Sequence, residues 1–143
     1  MLSQKSQYAV RAVLELAKRQ GQGPVPAARV AQVQHIPVRF LENILSELRQ
    51  AGLVESVRGK EGGYRLGRPP EQVTVGEVIR QVQGPLAPVD CGPACPLREG
   101  CVLLPVWDRA HHAMMDVFEG TSFAELVEQE RAINEREVID YAI

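Results

Sequence analysis

Apolar residues recur at helical spacing from the start of the chain. Ala9, Ala12, Val13, Leu16 and Ala17 fall at i, i+3, i+4, i+7 and i+8. With Arg11, Glu15, Lys18 and Arg19 expected to face away, this predicts an amphipathic helix over 5–20. Gly21-Gln22-Gly23-Pro24 breaks it, and a short helix is expected from about Pro26 to Val33, with Ala27, Val30 and Ala31 inward. His35-Ile36-Pro37 is a tight connection, after which Leu41, Ile44, Leu45 and Leu48 form the apolar stripe of a third helix, about Val38 to Ala51. Gly52 caps that helix.

Beyond Gly52 the period changes. Residues 53–58, LVESVR, alternate and are rich in β-branched side chains, Gly59 to Gly63 turn the chain, and Tyr64-Arg65-Leu66 return. This is a hairpin. Pro69-Pro70 marks a boundary, and Thr74 with Glu77 forms a capping box for a short helix ending near Gln83. Residues 84–101 hold too many Pro and Gly for regular structure. A long helix follows from about Leu103 to Glu119, in which Leu103, Val106, Ala110, Ala113 or Met114, and Val117 make a seam suited to another helix. Gly120 ends it, and Ser122 with Glu125 caps a last acidic helix running towards Asp140. The expected fold is mainly α with a small β-hairpin wing. Its expected divisions are a winged helix-turn-helix over 1–70, a short helix and cysteine loop over 71–102, and the two final helices over 103–143.

Composition adds little until charge is read by position. The formal net charge is −2. Residues 1–70 hold 11 Lys/Arg against 5 Asp/Glu, whereas residues 71–143 hold 5 against 13. The first half is therefore +6 and the second −8, and a basic first half suits a polyanion. No apolar run is long enough for a membrane span, and the amphipathic N-terminus lacks the features of a signal peptide, so a cytoplasmic protein with no membrane partner is expected.

The third helix presents Arg39, Glu42, Asn43 and Ser46 opposite its apolar stripe. In a helix-turn-helix the second helix enters the major groove, where Arg pairs with guanine, a carboxylate accepts from the cytosine amino group, and Asn pairs with adenine. The hairpin beside it carries Arg58, Lys60 and Arg65 around a glycine-rich tip, as a wing on a phosphate backbone would. The Gly-Lys-Glu-Gly-Gly stretch at 59–63 lacks the Gly-Lys-Ser/Thr ending of a phosphate loop.

All three cysteines, Cys91, Cys95 and Cys101, lie within 11 residues at a C-x3-C-x5-C spacing. A flexible loop lets several sulfurs converge on a metal, and three thiolates leave one coordination position free. Spacing alone leaves the metal unnamed, with a redox thiol switch, a zinc site and a metal-free loop as the other readings. His111 and His112 are adjacent and point about 100° apart on a helix, so both cannot face one ion; they read as surface or dimer-interface residues. His35 reads as DNA-proximal or solvated. No arrangement of residues supports an enzyme.

Taken together, YAVRAVLELA at 8–17, IPVRFLENILSELRQAGLVESVRGKEGGYRL at 36–66, VTVGEVIRQVQG at 73–84, the cysteine loop and TSFAELV at 121–127 resemble the IscR/NsrR-type family of winged-helix transcriptional regulators. The resemblance implies a homodimer built on the long helix, bound to palindromic double-stranded DNA in promoters. It implies DNA contacts at Arg39, Glu42 and Arg58. It also implies an iron–sulfur cluster, [2Fe–2S] or [4Fe–4S], on Cys91, Cys95 and Cys101, sensing redox, iron–sulfur or nitric-oxide status. Two departures stand out. The first cysteine gap is short, and the positions at which such regulators carry a fourth ligand hold Leu104 and Gln7. The alternatives are a cluster-free thiol-redox or zinc-dependent regulator, and an interaction partner of a metabolic enzyme docking through the acidic last helix.

Overall fold

Ser3 sets the first helix, because its hydroxyl accepts from Ser6 N–H at 3.1 Å and leaves the backbone extended before the first turn. Helix α1 (Gln4–Lys18) follows, then α2 (Ala27–Gln34) and α3 (Val38–Gln50). The computed structural model describes residues 1–89 and 91–142. Leu41, Ile44, Leu45 and Leu48 of α3 are fully buried in the core that also takes Ala9, Ala12, Val13 and Leu16 of α1. Each such Leu or Ile contributes about 1.5–3 kcal/mol on burial, so the stripe fixes which face of α3 turns outward.

Gly52, at φ +77°, lets the chain leave α3 and enter the hairpin of β1 (Val54–Val57) and β2 (Gly63–Leu66). The strands pair antiparallel, with Glu55 opposite Arg65 and Ser56 opposite Tyr64. Val25 adds a third strand position that the sequence pattern did not show. It exchanges two backbone hydrogen bonds with Tyr64, each 2.8 Å, and so ties the segment before α2 to the wing. Gly63 makes this approach possible, since a Cβ there would stand 2.3 Å from the Val25 carbonyl carbon and oxygen.

After a 3-10 turn at Pro70–Gln72, Thr74 caps α4 (Val75–Gln83) by accepting from Glu77 N–H at 3.2 Å. The Glu77 carboxylate does not complete the box; it binds Arg68 instead. Helix α5 (Leu104–Glu119) is joined to α4 by the Arg80–Glu119 ion pair and by Thr74. Helix α6 (Phe123–Ala142) starts at a fully buried Phe123, whose N–H bonds to Val73 O at 3.0 Å. Among the described residues no helix is long and apolar enough to cross a membrane.

One expectation is overturned inside α1. Glu15, placed on the outward face by the pattern, is 1% exposed. Lys18 at 2.9 Å and Arg19 at 3.2 Å neutralise it, and Gln34 of α2 donates to it at 3.0 Å. A charge survives burial only when so paired and bonded. Lys18 continues the chain of charges to Glu130 of α6 at 3.3 Å. Burial pushes the Glu15 carboxyl up, but the Lys18 and Gln34 hydrogen bonds, the Lys18 charge and a hydrogen bond from Arg19 outweigh it and hold it below the ordinary value.

Candidate nucleic-acid interface and cysteine loop

The connection between α2 and α3 turns on His35, the one described non-glycine residue in the left-handed region, at φ 53°. Its N–H bonds back to Ala31 O and ends α2, and its exposed ring leaves the turn free of bulk. Pro37 then precedes the first turn of α3. Arg39, Glu42 and Asn43 all project outward into solvent, and Ser46 is half-buried on the same side. Val38 and Phe40 flank this polar face and are also exposed, at 43% and 48%. Phe40 packs edge-on against Tyr8 of α1, with ring centres 6.0 Å apart, and Arg11 stacks over the far ring at 5.5 Å. Lys5 reaches Glu47 at 2.6 Å and braces α1 against the same side of α3. The sequence pattern missed these aromatic and ionic braces, because they depend on which faces of two separate helices meet.

The wing stands next to α3. Arg49 at the end of α3 donates to Ser56 of β1 at 3.4 Å. Arg58 and Lys60 are exposed at the turn and, with Arg39, are in no ion pair among the described residues. Arg65 differs: it is held by Glu55 across the strands at 3.1 Å. Both partners are exposed, so the pair is worth little and a phosphate can compete for the guanidinium. The expected base-reading and phosphate-contacting residues thus lie on α3 and on the adjoining hairpin, with Arg65 already partnered.

The cysteine loop leaves α4 at Gly84 and is anchored by buried Leu86. Its backbone folds in short turns: Cys95 N–H bonds to Gly92 O, Arg98 N–H to Cys95 O, and Cys101 N–H to Arg98 O. The Arg98 guanidinium closes the loop by donating to Cys91 O at 2.8 Å. Cys91, Cys95 and Cys101 are free thiols, each half-buried. Among the described residues no three His, Cys, Asp or Glu side chains stand around one metal-sized point. Three free thiols on a loop held by short turns are the donor type a thiolate-held group would need, but they are not gathered around one point. A cavity of about 330 Å³ opens between the loop and α5, lined by Cys91 and Arg98 on one side and Leu104, Trp107, Asp108 and His111 on the other.

His111, expected at the surface or at a dimer interface, lies against the cysteine loop. It is half-buried, and its Nδ1 is a buried side-chain atom with no hydrogen-bond partner. His112 is exposed as expected, with Nδ1 2.7 Å from Asp108 O. The available signal was the i, i+3, i+4, i+7 set of Leu104, Trp107, Asp108 and His111, which puts His111 on the helix face turned to the loop.

Gln83, the last residue of α4, was also not singled out. Its side-chain oxygen accepts from Ser3 N–H at 2.9 Å and from the Ser6 hydroxyl at 2.7 Å, and its amide donates to Met1 O at 2.8 Å. The residue that immediately precedes the loop therefore grips the start of α1.

Comparison with known proteins agrees with this architecture. The profile of the Rrf2 family, described as an iron-dependent transcriptional regulator, matches residues 2–129. The regulator CymR of Bacillus subtilis is 38% identical over 129 residues, covering 87% of this chain and 88% of CymR. The regulator IscR of Aliivibrio salmonicida is 36% identical, covering 99% of this chain and 87% of IscR. The solved structure of B. subtilis CymR, described as a global cysteine regulator, superposes with a TM-score of 0.79 at 34% identity. It covers 90% of this chain and 97% of the CymR chain.

Proposed function

The chain belongs to the Rrf2 family of transcriptional regulators, and from that premise we propose that it is a cytoplasmic homodimer that binds a palindromic promoter site under control of its cysteine loop. The observation that carries the DNA-binding part is the division of α3. One face is buried to 0% exposure, and the other presents Arg39, Glu42, Asn43 and Ser46 beside a wing whose Arg58 and Lys60 have no ion-pair partner among the described residues. Arg39, Glu42 and Asn43 read base edges, and Arg58, Lys60 and Arg65 hold phosphates. Two copies are needed because one recognition helix spans only a half-site, and half-sites repeat about 34 Å apart on one face of the duplex.

In this reading Cys91, Cys95 and Cys101 would hold an iron–sulfur cluster, [2Fe–2S] or [4Fe–4S], which would supply reversible oxidation and loss. Such a group would draw the three thiols together, and Gln83, bonded to the start of α1, would link any movement of the loop to it. Small rigid-body shifts of two recognition helices then change affinity, because both must fit grooves at fixed spacing. A second reading has its own support: the thiols are free and not gathered around a point, which also suits a sulfenate or disulfide switch without metal. An absorption spectrum with iron and sulfide analysis of protein purified without oxygen separates the two. Visible bands and sulfide that vanish in the Cys91/Cys95/Cys101→Ala variant support the cluster, and a colourless protein that loses two protons on oxidation supports the thiol switch.

DNA binding is tested by titrating promoter fragments at two salt concentrations with Arg58→Ala. The variant is expected to weaken every sequence alike and to lower the slope of log affinity against log salt by about 1. An unchanged slope removes Arg58 from the interface.

A further inference from the structure

We propose that Phe40 reads a thymine through its C5-methyl group and so adds an apolar specificity contact to α3, an inference that rests on the DNA-binding reading of that helix. Phe40 lies in the first turn of α3, the part of a recognition helix that meets base edges. It is 48% exposed, whereas Leu41, Ile44, Leu45 and Leu48 of the same helix are wholly buried and complete the apolar stripe without it. On a helix that turns about 100° per residue, Phe40 lies about 60° round from Asn43. Both line a groove of about 440 Å³ along α3. Side chains three apart on a helix are neighbours, so a ring at 40 and an amide at 43 reach the same or adjoining base pairs, which repeat about every 3.4 Å. In the major groove Asn pairs with adenine, and the thymine methyl is the apolar mark by which an A·T pair differs from the others.

The ring is held before DNA arrives. Tyr8 of α1 meets it edge-on, with the ring planes at 79° and the centres 6.0 Å apart. Tyr8 is fixed in turn, because Gln4 donates to its hydroxyl at 2.9 Å and the Arg11 guanidinium lies over its ring at 5.5 Å. A side chain placed in this way loses little rotamer freedom on binding, so its contact with a methyl group is gained at small entropic cost. Val38 supplies the contrast. It is also exposed, at 43%, but it lies about 200° round the helix from Phe40 and is not among the residues that line the groove shared with Asn43.

The test uses full-length protein as wild type, Phe40→Ala, Phe40→Leu and Val38→Ala, with duplexes that the wild type selects from a random-sequence pool. Each thymine of the selected site is replaced in turn by deoxyuridine, which removes the methyl and keeps the base pair. Affinity is read by anisotropy at fixed salt. For the wild type, uracil at one thymine of a half-site is expected to weaken binding about fourfold, as exposure of one methyl-sized group would. Phe40→Ala is expected to be indifferent to uracil at that position and to match the wild type at the other thymines. Phe40→Leu, the milder variant, is expected to reduce the loss without abolishing it, and Val38→Ala to keep it in full. A wild type that selects a site yet is indifferent to uracil at every thymine overturns the inference and leaves DNA binding standing. So does a Phe40→Ala protein that keeps the loss, or a Val38→Ala protein that abolishes it. A wild type that selects no sequence overturns both.

Discussion

The Ser6 hydroxyl, wholly buried in the first helix turns, donates to Gln83 Oε1 at 2.7 Å across 77 residues of sequence. Gln83 is the last residue of α4, and Gly84 opens the cysteine loop. The start of α1 and the stem of the cysteine loop therefore share one side chain. Gln83→Ala removes its bonds to Ser3, Ser6 and Met1. The buried Ser6 hydroxyl then keeps only Ser3 Oγ, 3.1 Å away. The stability loss is expected to be about 1–3 kcal/mol by chemical denaturation. The larger consequence concerns regulation. The ratio of DNA affinities between the two states of the loop is expected to fall towards unity, since allosteric couplings of this kind are worth only about 1–3 kcal/mol in all. Affinity measured by anisotropy with the thiols in each state checks it, and an undiminished ratio would place the coupling elsewhere.

The Glu15 cluster makes stability depend on pH in two windows. Glu15 titrates below its ordinary 4.5 in the folded protein, so its contribution is full above 4.5 and is lost as pH falls through the lower folded value. For Lys18, burial pulls the value down but Glu15 and Glu130 raise it above 10.5, so its contribution is full below 10.5 and is lost as pH rises beyond that. Glu15→Leu leaves Lys18, Arg19 and Gln34 without their shared acceptor and is expected to cost about 2–4 kcal/mol near neutrality. The deficit against wild type is expected to shrink as pH falls below 4.5, because the wild type loses the same carboxylate charge. Denaturant midpoints from pH 3 to 7 measure it; a deficit that grows with acid contradicts the pairing.

The order of elements was legible because this chain's periods are clean. Leu41, Ile44, Leu45 and Leu48 are buried as the stripe requires, and Thr74 and Ser122 cap the helices they precede. What escaped was tertiary. Glu15 looks solvated by spacing alone, and only the arrival of Gln34 from another helix makes its burial affordable. The Val25–Tyr64 pairing lies outside any local alternation. Of the proposed DNA-contacting set, the placement of the α3 face and of the wing cations followed from local pattern, whereas the prior commitment of Arg65 to Glu55 needed the strand register. The cysteines announced themselves by clustering. His111 did not, because its partnerless nitrogen depends on how α5 lies against a loop of irregular backbone.

Two glycines separate conformational freedom from close approach. Gly52 has open space where a Cβ would stand, and only its φ of +77° resists a side chain. Gly52→Ala is expected to cost about 1 kcal/mol. Gly63→Ala drives a methyl into the Val25 backbone at 2.3 Å and must push apart the Val25–Tyr64 hydrogen bonds. Its cost is expected to reach about 2–3 kcal/mol, as in overpacked sites, with DNA affinity falling because the wing shifts. Thermal melts of the two variants side by side decide this, and equal losses would mean that the wing does not need the third strand.

The seam on α5 supplies the last expectation. Leu103, Val106 and Val117 are 51%, 46% and 64% exposed, and no residue of this helix is buried. A 16-residue helix with no fully buried residue has little to hold it in water, since isolated helices of that length are marginal even with favourable residues. The seam has the three-and-four spacing of a helix partner, and a second copy offers the same seam with no further requirement. Val106→Lys with Val117→Glu is expected to produce a monomer by sedimentation at micromolar concentration and to weaken palindrome binding steeply, because the two half-sites are then engaged independently. Binding to a single half-site is expected to persist, since α3 and the wing are untouched. A double variant that stays dimeric would move the interface to α6, where Ile133, Val138 and Ile139 are also exposed.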